Sequence, residues 1–363
     1  MTGTQPDRQA AYSGTRDVPS PLAFDVERLE AYLAKTMDGF RGPLTVRQFK
    51  GGQSNPTYLL EAPSGRYVLR RKPPGKLLPS AHAVDREYRV IKALHDSGFP
   101  VPQPRVLCED EDVVGTMFYV MDWVDGRIFW VPHLPDLAPD ERAGIYDSMN
   151  ETIARLHTLD VAAAGLGDFG RPEGYVARQI RRWSQQYEAS RTQDVPEMDR
   201  LMEWLPGAVP GETGAAVVHG DYRLDNLIIA RDSPKVVAVL DWELATIGDP
   251  VGDFTYHLMA WHMPPAETVA GTGSLLGHDL NALGIPGVEA YAEDYCRRTG
   301  RSELPDLDFY FAYNFFRLAA ILQGIVGRVR DGTATNENAP AMEGQVRPLA
   351  RTAWQFAERA GAQ

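Results

Sequence analysis

The sequence predicts an α+β chain of two lobes: an antiparallel sheet carrying one helix in front, a mainly helical lobe behind, and a cleft between them. Three observations predict it. Strand and hairpin signals crowd residues 57–126, helical spacing takes over beyond about residue 130, and an acidic loop at 219–226 lies between two short apolar strands. The expected boundaries are a polar, mobile tail over 1–24, a front lobe over 25–121, a hinge over 122–127 and a back lobe over 128–363.

Each element has its own signal. In DVERLEAYLAKTM (25–37), Val26, Leu29, Leu33 and Met37 recur at helical spacing. TYLLE (57–61) and RYVLRR (66–71) read as strands joined by the turn APSG, a hairpin signal. Over 80–98, Val84, Tyr88, Ile91 and Leu94 or His95 share one helical face, which Ser97 and Gly98 end. A proline-rich link, FPVPQPRVLCED, enters another strand, and GTMFYVMDWVDG (115–126) is an apolar strand that stops at Asp125-Gly126. Beyond it, Ile145, Met149, Ile153 and Leu156 mark a helix over 140–159, and 172–190 is also helical. AAVVHGDYRLDNLII (215–229) and KVVAVLDWE (235–243) read as short strands around a loop, and 250–360 as mostly helical and rich in aromatics.

Composition narrows the function classes. Of the 363 residues, 44% are hydrophobic and 24% charged, the make-up of a globular protein. A net charge of −12 argues against a general nucleic-acid binder. Cys108 and Cys296 have no metal-type spacing, and a reducing compartment is expected. No segment reads as a membrane span, and the first twenty residues lack the apolar core of a signal peptide. The expectation is a cytoplasmic protein with no membrane partner.

The chemistry concentrates in HGDYRLDN (219–226). Asp221 and Asn226 stand five residues apart on a loop, and fifteen residues past Asn226 the strand VVAVL ends in Asp241. A carboxylate at a strand mouth and an amide oxygen on a neighbouring loop suit Mg²⁺, a hard cation that prefers oxygen ligands. A second carboxylate beside them can take a proton from a hydroxyl. Together these are the parts of phosphoryl transfer.

The front lobe supplies what such a site needs. In FKGGQSNPTYLL (49–60), Gly51 and Gly52 precede Ser54, Asn55 and a strand, and glycine lets backbone N–H groups approach phosphates. Alternation puts Arg70 on the face of Val68 and Arg71 on the other. Glu87 lies three residues from Val84 and four from Ile91, on or beside the apolar face of its helix, where a carboxylate needs a partner. Arg70 is the natural one. Asp249-Pro250 reads as a helix N-cap with proline at the first helical position, and Asp253, one turn on, as a brace for the acidic loop.

At this point the chain resembles the aminoglycoside phosphotransferase family of kinase-like enzymes, and most of all the kinase-like domain attached to some acyl-CoA dehydrogenases. The matching stretches are GGQSNPTYLL, YVLRRKPPGKLLPSAHAVDREYRVIKAL, FYVMDWVDG, VVHGDYRLDNLII and VLDWELATIGDPVGDFTYHL. The resemblance implies a protein-kinase-like fold with ATP or GTP and Mg²⁺ as cofactors. It implies Asp221 as catalytic base, Asn226 and Asp241 as metal ligands, Glu87 as the residue orienting the phosphate-binding cation, and backbone groups near Met121 and Trp123 as the adenine site. It also implies that His219 props the loop. Two departures stand out. Arg70 occupies the place of the family's lysine, with Arg71 and Lys72 as rivals, and Asp241-Trp242-Glu243 stands where protein kinases have Asp-Phe-Gly.

Eleven residues separate Asp241 from Asp253, too few for a protein-substrate platform, so the expected partner is a small-molecule hydroxyl acceptor. Residues 254–363 hold twelve acidic and nine basic side chains, a weak argument against a polycationic acceptor. The subgroup points to a hydroxyacyl metabolite. An antibiotic phosphotransferase and a nucleotide-binding pseudokinase are the alternatives. Trp261, His262 and the aromatic run 308–320 are either acceptor-pocket lining or core, with core favoured for the run.

Overall fold

The computed structural model describes residues 13–50, 55–74, 83–265, 273–332 and 339–363. The front lobe holds strands β1 (Thr15–Arg16), β2 (Thr45–Phe49), β3 (Thr57–Ala62), β4 (Gly65–Arg71), β5 (Pro104–Cys108) and β6 (Phe118–Asp122), with helices α1 (Val26–Thr36), α2 (Val84–Asp96) and the short α3 (Glu111–Val114). The strands form one antiparallel sheet in the order β1-β2-β3-β4-β6-β5.

Alternation divides the sheet into two faces. Tyr58, Leu60, Leu69, Phe118 and Val120 pack with Leu29 and Leu33 of α1 into a front-lobe core. Val68, Tyr119 and Met121 face the other way, pack with Val90, Ile91 and Leu94 of α2, and join the core of the back lobe. Asp25 caps α1 by accepting from the Arg28 N–H at 3.0 Å, as an N-terminal aspartate should. The buried face of α2 is rotated from expectation: Val90 joins Val84, Ile91 and Leu94, Tyr88 is only half-buried, and Glu87 sits inside the face. The apolar run 115–126 yields a shorter strand. Gly115 takes a left-handed φ of 87° as the C-cap of α3, so pairing begins only at Phe118.

The expected tail over 1–24 is too long. Residues 15–16 add β1 to the sheet, and Leu22 O accepts from Tyr58 Oη at 3.0 Å and Arg71 Nη2 at 2.8 Å. The buried Arg71 guanidinium also donates to Val114 O at 2.6 Å, so these carbonyls satisfy a cation beneath the sheet and draw the chain onto it.

The back lobe holds α4 (Pro139–His157), α5 (Tyr175–Ser190), α6 (Pro196–Trp204), α7 (Pro250–Leu258), α8 (Leu280–Leu283), α9 (Val288–Thr299), α10 (Leu307–Arg330) and α11 (Ala339–Arg359). The lobe also holds two small antiparallel pairs, β7 (Ala216–Val218) with β10 (Thr246–Gly248), and β8 (Leu227–Ile229) with β9 (Val236–Val239), of which the second lines the cleft through Ile228 and Val239. Contrary to expectation, α10 is long and apolar enough to cross a membrane, but 83% of its apolar stretch is buried. It is the core helix of the lobe, packed against α5 and α11. Between the lobes, Arg127 bridges to Ile229, and a Cβ on Gly126 would meet Ile228 Cγ2 at 2.3 Å. Only glycine lets the linking segment lie this close to β8.

Candidate active site

The loop after β7 is held from beneath by α7. Asp249 caps α7 by accepting from Gly252 N–H, and Pro250 occupies its first turn. One turn further, the buried Asp253 accepts from the backbone N–H groups of His219 and Gly220, each at 2.8 Å, and from His157 Nε2 at 3.1 Å. Burial alone would raise the Asp253 carboxyl, but these donors bring it below the ordinary carboxylate range. His219 joins the two acidic loops. Its Nε2 donates to Leu240 O at 2.8 Å and its Nδ1 accepts from Asp221 N–H at 3.1 Å. His219 thus props the loop, and Asp253 braces it.

Asp221 receives donors on both oxygens. Tyr256 Oη donates to Oδ1 at 2.7 Å, with Arg223 Nε 3.4 Å from the same atom. Asn226 Nδ2 donates to Oδ2 at 3.1 Å and to the Asp221 carbonyl at 2.9 Å. A carboxylate oxygen has two acceptor positions. Oδ1 takes the Tyr256 hydrogen bond and the ionic contact with Arg223, and Oδ2, with Asn226 as donor, retains one position. Arg223 also donates to Asp225 Oδ2 at 2.9 Å; burial works against its charge, and the two aspartates more than restore it.

Across the cleft, Arg70 donates to Glu87 Oε2 at 3.0 Å, to Asp241 Oδ1 at 2.6 Å and to Glu243 Oε2 at 3.4 Å. The side chains of Arg70 and Glu87 are 8% and 1% exposed, so each depends on the other for its charge. Burial opposes the Arg70 cation, but Glu87 and Asp241 hold it well on the charged side. Burial raises the Glu87 carboxyl, and Arg70 and a hydrogen bond with Tyr119 restrain it. Arg71, on the other face, meets Tyr58 and Leu22 instead.

Asp221, Asn226, Asp241, Arg70, Glu87, Met121 and Trp123 all line one cleft of about 1170 Å³. The Trp123 backbone N–H is taken, donating to Arg66 O at 3.2 Å, and the Trp123 ring stacks on Phe49, another residue of the cleft wall. Asn55 does not reach the cleft. It is fully buried two residues before β3, whose first residue, Thr57, lines the cleft. Gly51, Gly52 and Ser54 lie outside the described residues. Asn226 and Asp241 offer an amide and a carboxylate oxygen, a donor set that fits Mg²⁺. Among the described residues no group of three His, Cys, Asp or Glu is placed to hold a metal ion.

The cleft lining also includes the apolar residues Phe129, Trp130, Pro132, Met263, Leu318 and Leu322, the first four of which lie beside Arg223, Asp225 and Tyr256. Most of the run 308–320 is core, with Leu318 its one cleft-lining residue. Trp261 is buried, with its Nε1 donating to Pro286 O, and His262 packs against Phe311 and Phe356; neither lines the cleft.

Sequence reasoning missed Arg223, Tyr256, Glu243 and Arg317. Tyr256 lies three residues beyond Asp253 on one helix, a spacing that shares a face. Arg317, a cation within an aromatic run, was a signal too. Buried, it donates to Gly220 O at 2.7 Å and lies 4.9 Å over the Tyr256 ring, fixing the loop from behind.

Residues 45–310 match the model of the phosphotransferase enzyme family. Acyl-CoA dehydrogenase family member 11 of Rattus norvegicus is 43% identical over 354 residues, 95% of this chain and 45% of that protein. Member 10 of Mus musculus is 42% identical over 348 residues, 96% of this chain and 32% of that protein. The chain spans less than half the length of either. A solved structure of a candidate aminoglycoside phosphotransferase from Ralstonia eutropha superposes with a TM-score of 0.83 at 48% identity, covering 93% of this chain and 99% of that one.

Proposed function

We propose that this chain, which belongs to the phosphotransferase enzyme family, is an ATP-dependent kinase that moves the γ-phosphoryl group to a hydroxyl of a small molecule. One observation carries the reading: Asp221 and Asn226 from one loop, Asp241 from the next, and the Arg70–Glu87 pair from the front lobe face a single cleft. Asp221 is the base. Its Oδ2, with one acceptor position left beside Asn226, takes the proton of the acceptor hydroxyl as that oxygen bonds to phosphorus and the bond to the nucleoside diphosphate breaks. Tyr256 and Arg223 hold Oδ1 and so aim Oδ2. Asn226 and Asp241 would hold Mg²⁺, which neutralises phosphate charge when bound. Arg70, released from Asp241, is the cation for the phosphates, and Glu87 keeps it aimed.

The acceptor reading favoured here is a hydroxyacyl compound. The apolar residues on the cleft, Phe129, Trp130, Met263, Leu318 and Leu322 among them, suit an acyl chain. The kinship with acyl-CoA dehydrogenase family members supports the same reading. An antibiotic acceptor is the second reading, favoured by the likeness to the Ralstonia eutropha protein. An inactive nucleotide binder is the third, favoured by Arg70 in place of lysine.

The test is ATP consumption over hydroxy acids, hydroxyacyl-CoA thioesters, sugars, choline-like alcohols and aminoglycosides. With the accepted substrate, Asp221→Ala should lose about 10²–10⁴-fold in kcat with nucleotide affinity little changed. Asp241→Ala should lose both. Undiminished turnover by folded Asp221→Ala would remove the base from the scheme.

A further inference from the structure

Residues 13–15 line the cleft, although they precede the segment that matches the family model. We propose that the N-terminal strand β1 is part of the nucleotide site and forms the outer wall against the nucleoside. This rests on the reading of the cleft as a nucleotide site.

The register supplies the argument. Thr15 lies opposite Phe49 and Arg16 opposite Gln48, and Lys50 N–H donates to Gly14 O at 3.1 Å. With Gly14 and Lys50 bonded across the ladder, Thr15 and Phe49 form the next pair, the close one whose side chains share a face. That face is the cleft, since both residues line it. The Phe49 ring in turn stacks on Trp123 of the linking segment, 5.8 Å between centroids and 4° from parallel. Thr15, Phe49 and Trp123 therefore make one continuous wall. Asp221 and Asp241 mark the reacting end, so this wall flanks the nucleoside rather than the phosphates. Gly14 has a left-handed φ of 84°, and a Cβ there would meet nothing within 4 Å, as expected where the chain turns beside open cleft.

A two-residue strand would not hold by its ladder alone. Side chains fasten it. Arg16 Nε donates to Gln48 Oε1 at 3.2 Å, Arg47 Nε to Thr15 Oγ1 at 2.9 Å, and Arg47 Nη1 to Asp17 Oδ1 at 3.1 Å. Downstream, Leu22 O is gripped by Tyr58 and Arg71. A wall fastened in advance lowers the ordering cost of binding.

The experiment is calorimetric titration of ATP and of adenosine into the full chain, a form lacking residues 1–16, and Arg16→Pro. Proline at 16 removes a ladder N–H without shortening the chain. Melting curves establish that each form is folded. Affinity for ATP and for adenosine should fall by the same factor, about tenfold, in both altered forms. Unchanged affinity in folded variants overturns the proposal, and so does a loss confined to ATP, which would place the effect at the phosphates. A full chain that binds neither ligand instead overturns the nucleotide-site reading itself.

Discussion

Arg70 and Tyr256 show how single side chains set the site. Arg70 joins a helix carboxylate, Glu87, to a loop carboxylate, Asp241, that is 171 positions away. Strand alternation was enough to choose Arg70 over Arg71, because neighbouring residues on a strand must point to opposite faces. It could not reveal that Arg70 meets Asp241 as well. Arg70→Met would leave the buried Glu87 without its cation, with Tyr119 as its remaining hydrogen-bond partner, and should cost about 3–5 kcal/mol in denaturant unfolding. A loss within about 0.5 kcal/mol would mean that Glu87 is not paired as described. Tyr256→Phe keeps the ring under Arg317 and removes only the donor to Asp221. A hydrogen bond to a charged group contributes about 1.5–3 kcal/mol, so turnover should fall about 10- to 100-fold with nucleotide affinity unchanged. Equal turnover in the two forms would mean that Tyr256 does not aim the base.

At the scale of elements, α7 carries the site from below. Asp249 starts it, Asp253 binds the loop, Tyr256 holds Asp221, and every residue from Pro250 to Leu258 is buried. The start was legible from Asp-Pro, because capping is local chemistry. Its full burial was not, because that depends on what covers the helix. His257 shows a consequence. Burial lowers its ring from 6.5 to about 4, while its Nε2 bonds Tyr291 Oη at 2.8 Å. Between those pH values the unfolded chain binds a proton that the folded chain refuses, so stability should fall as pH drops from about 6.5 towards 4. The full span corresponds to about 3 kcal/mol. His257→Asn should flatten the pH dependence in that window, whatever it does to absolute stability. Urea midpoints measured between pH 4 and 7 decide it, and an unaltered slope in the variant would remove His257 as its source.

Over the whole molecule, the cleft joins the lobes, so a ligand that fills it should stabilise both. Mg-ATP at a hundred times its Kd should add about 2.7 kcal/mol to unfolding, read as a rise in Tm, and Asp241→Ala should lose most of that gain. A gain that survives the substitution would place the nucleotide away from Asp241. The strands β3 to β6, the helices α1, α2, α4 and α5, the side of β4 that faces the cleft, and the grouping of Asp221, Asn226 and Asp241 were legible in the sequence, whereas β1, β2 and α3 were not. Periodicity and short spacing are decided between near neighbours, and a loop between two apolar strands has few places to go. Tertiary structure alone decided that residues 15–16 complete the sheet, that Asn55 is buried rather than part of the cleft lining, and that Arg317 supports Gly220 from 97 positions off. Such contacts form where a buried cation or an unpaired strand edge must find a partner, and packing rather than spacing determines which residue lies within reach.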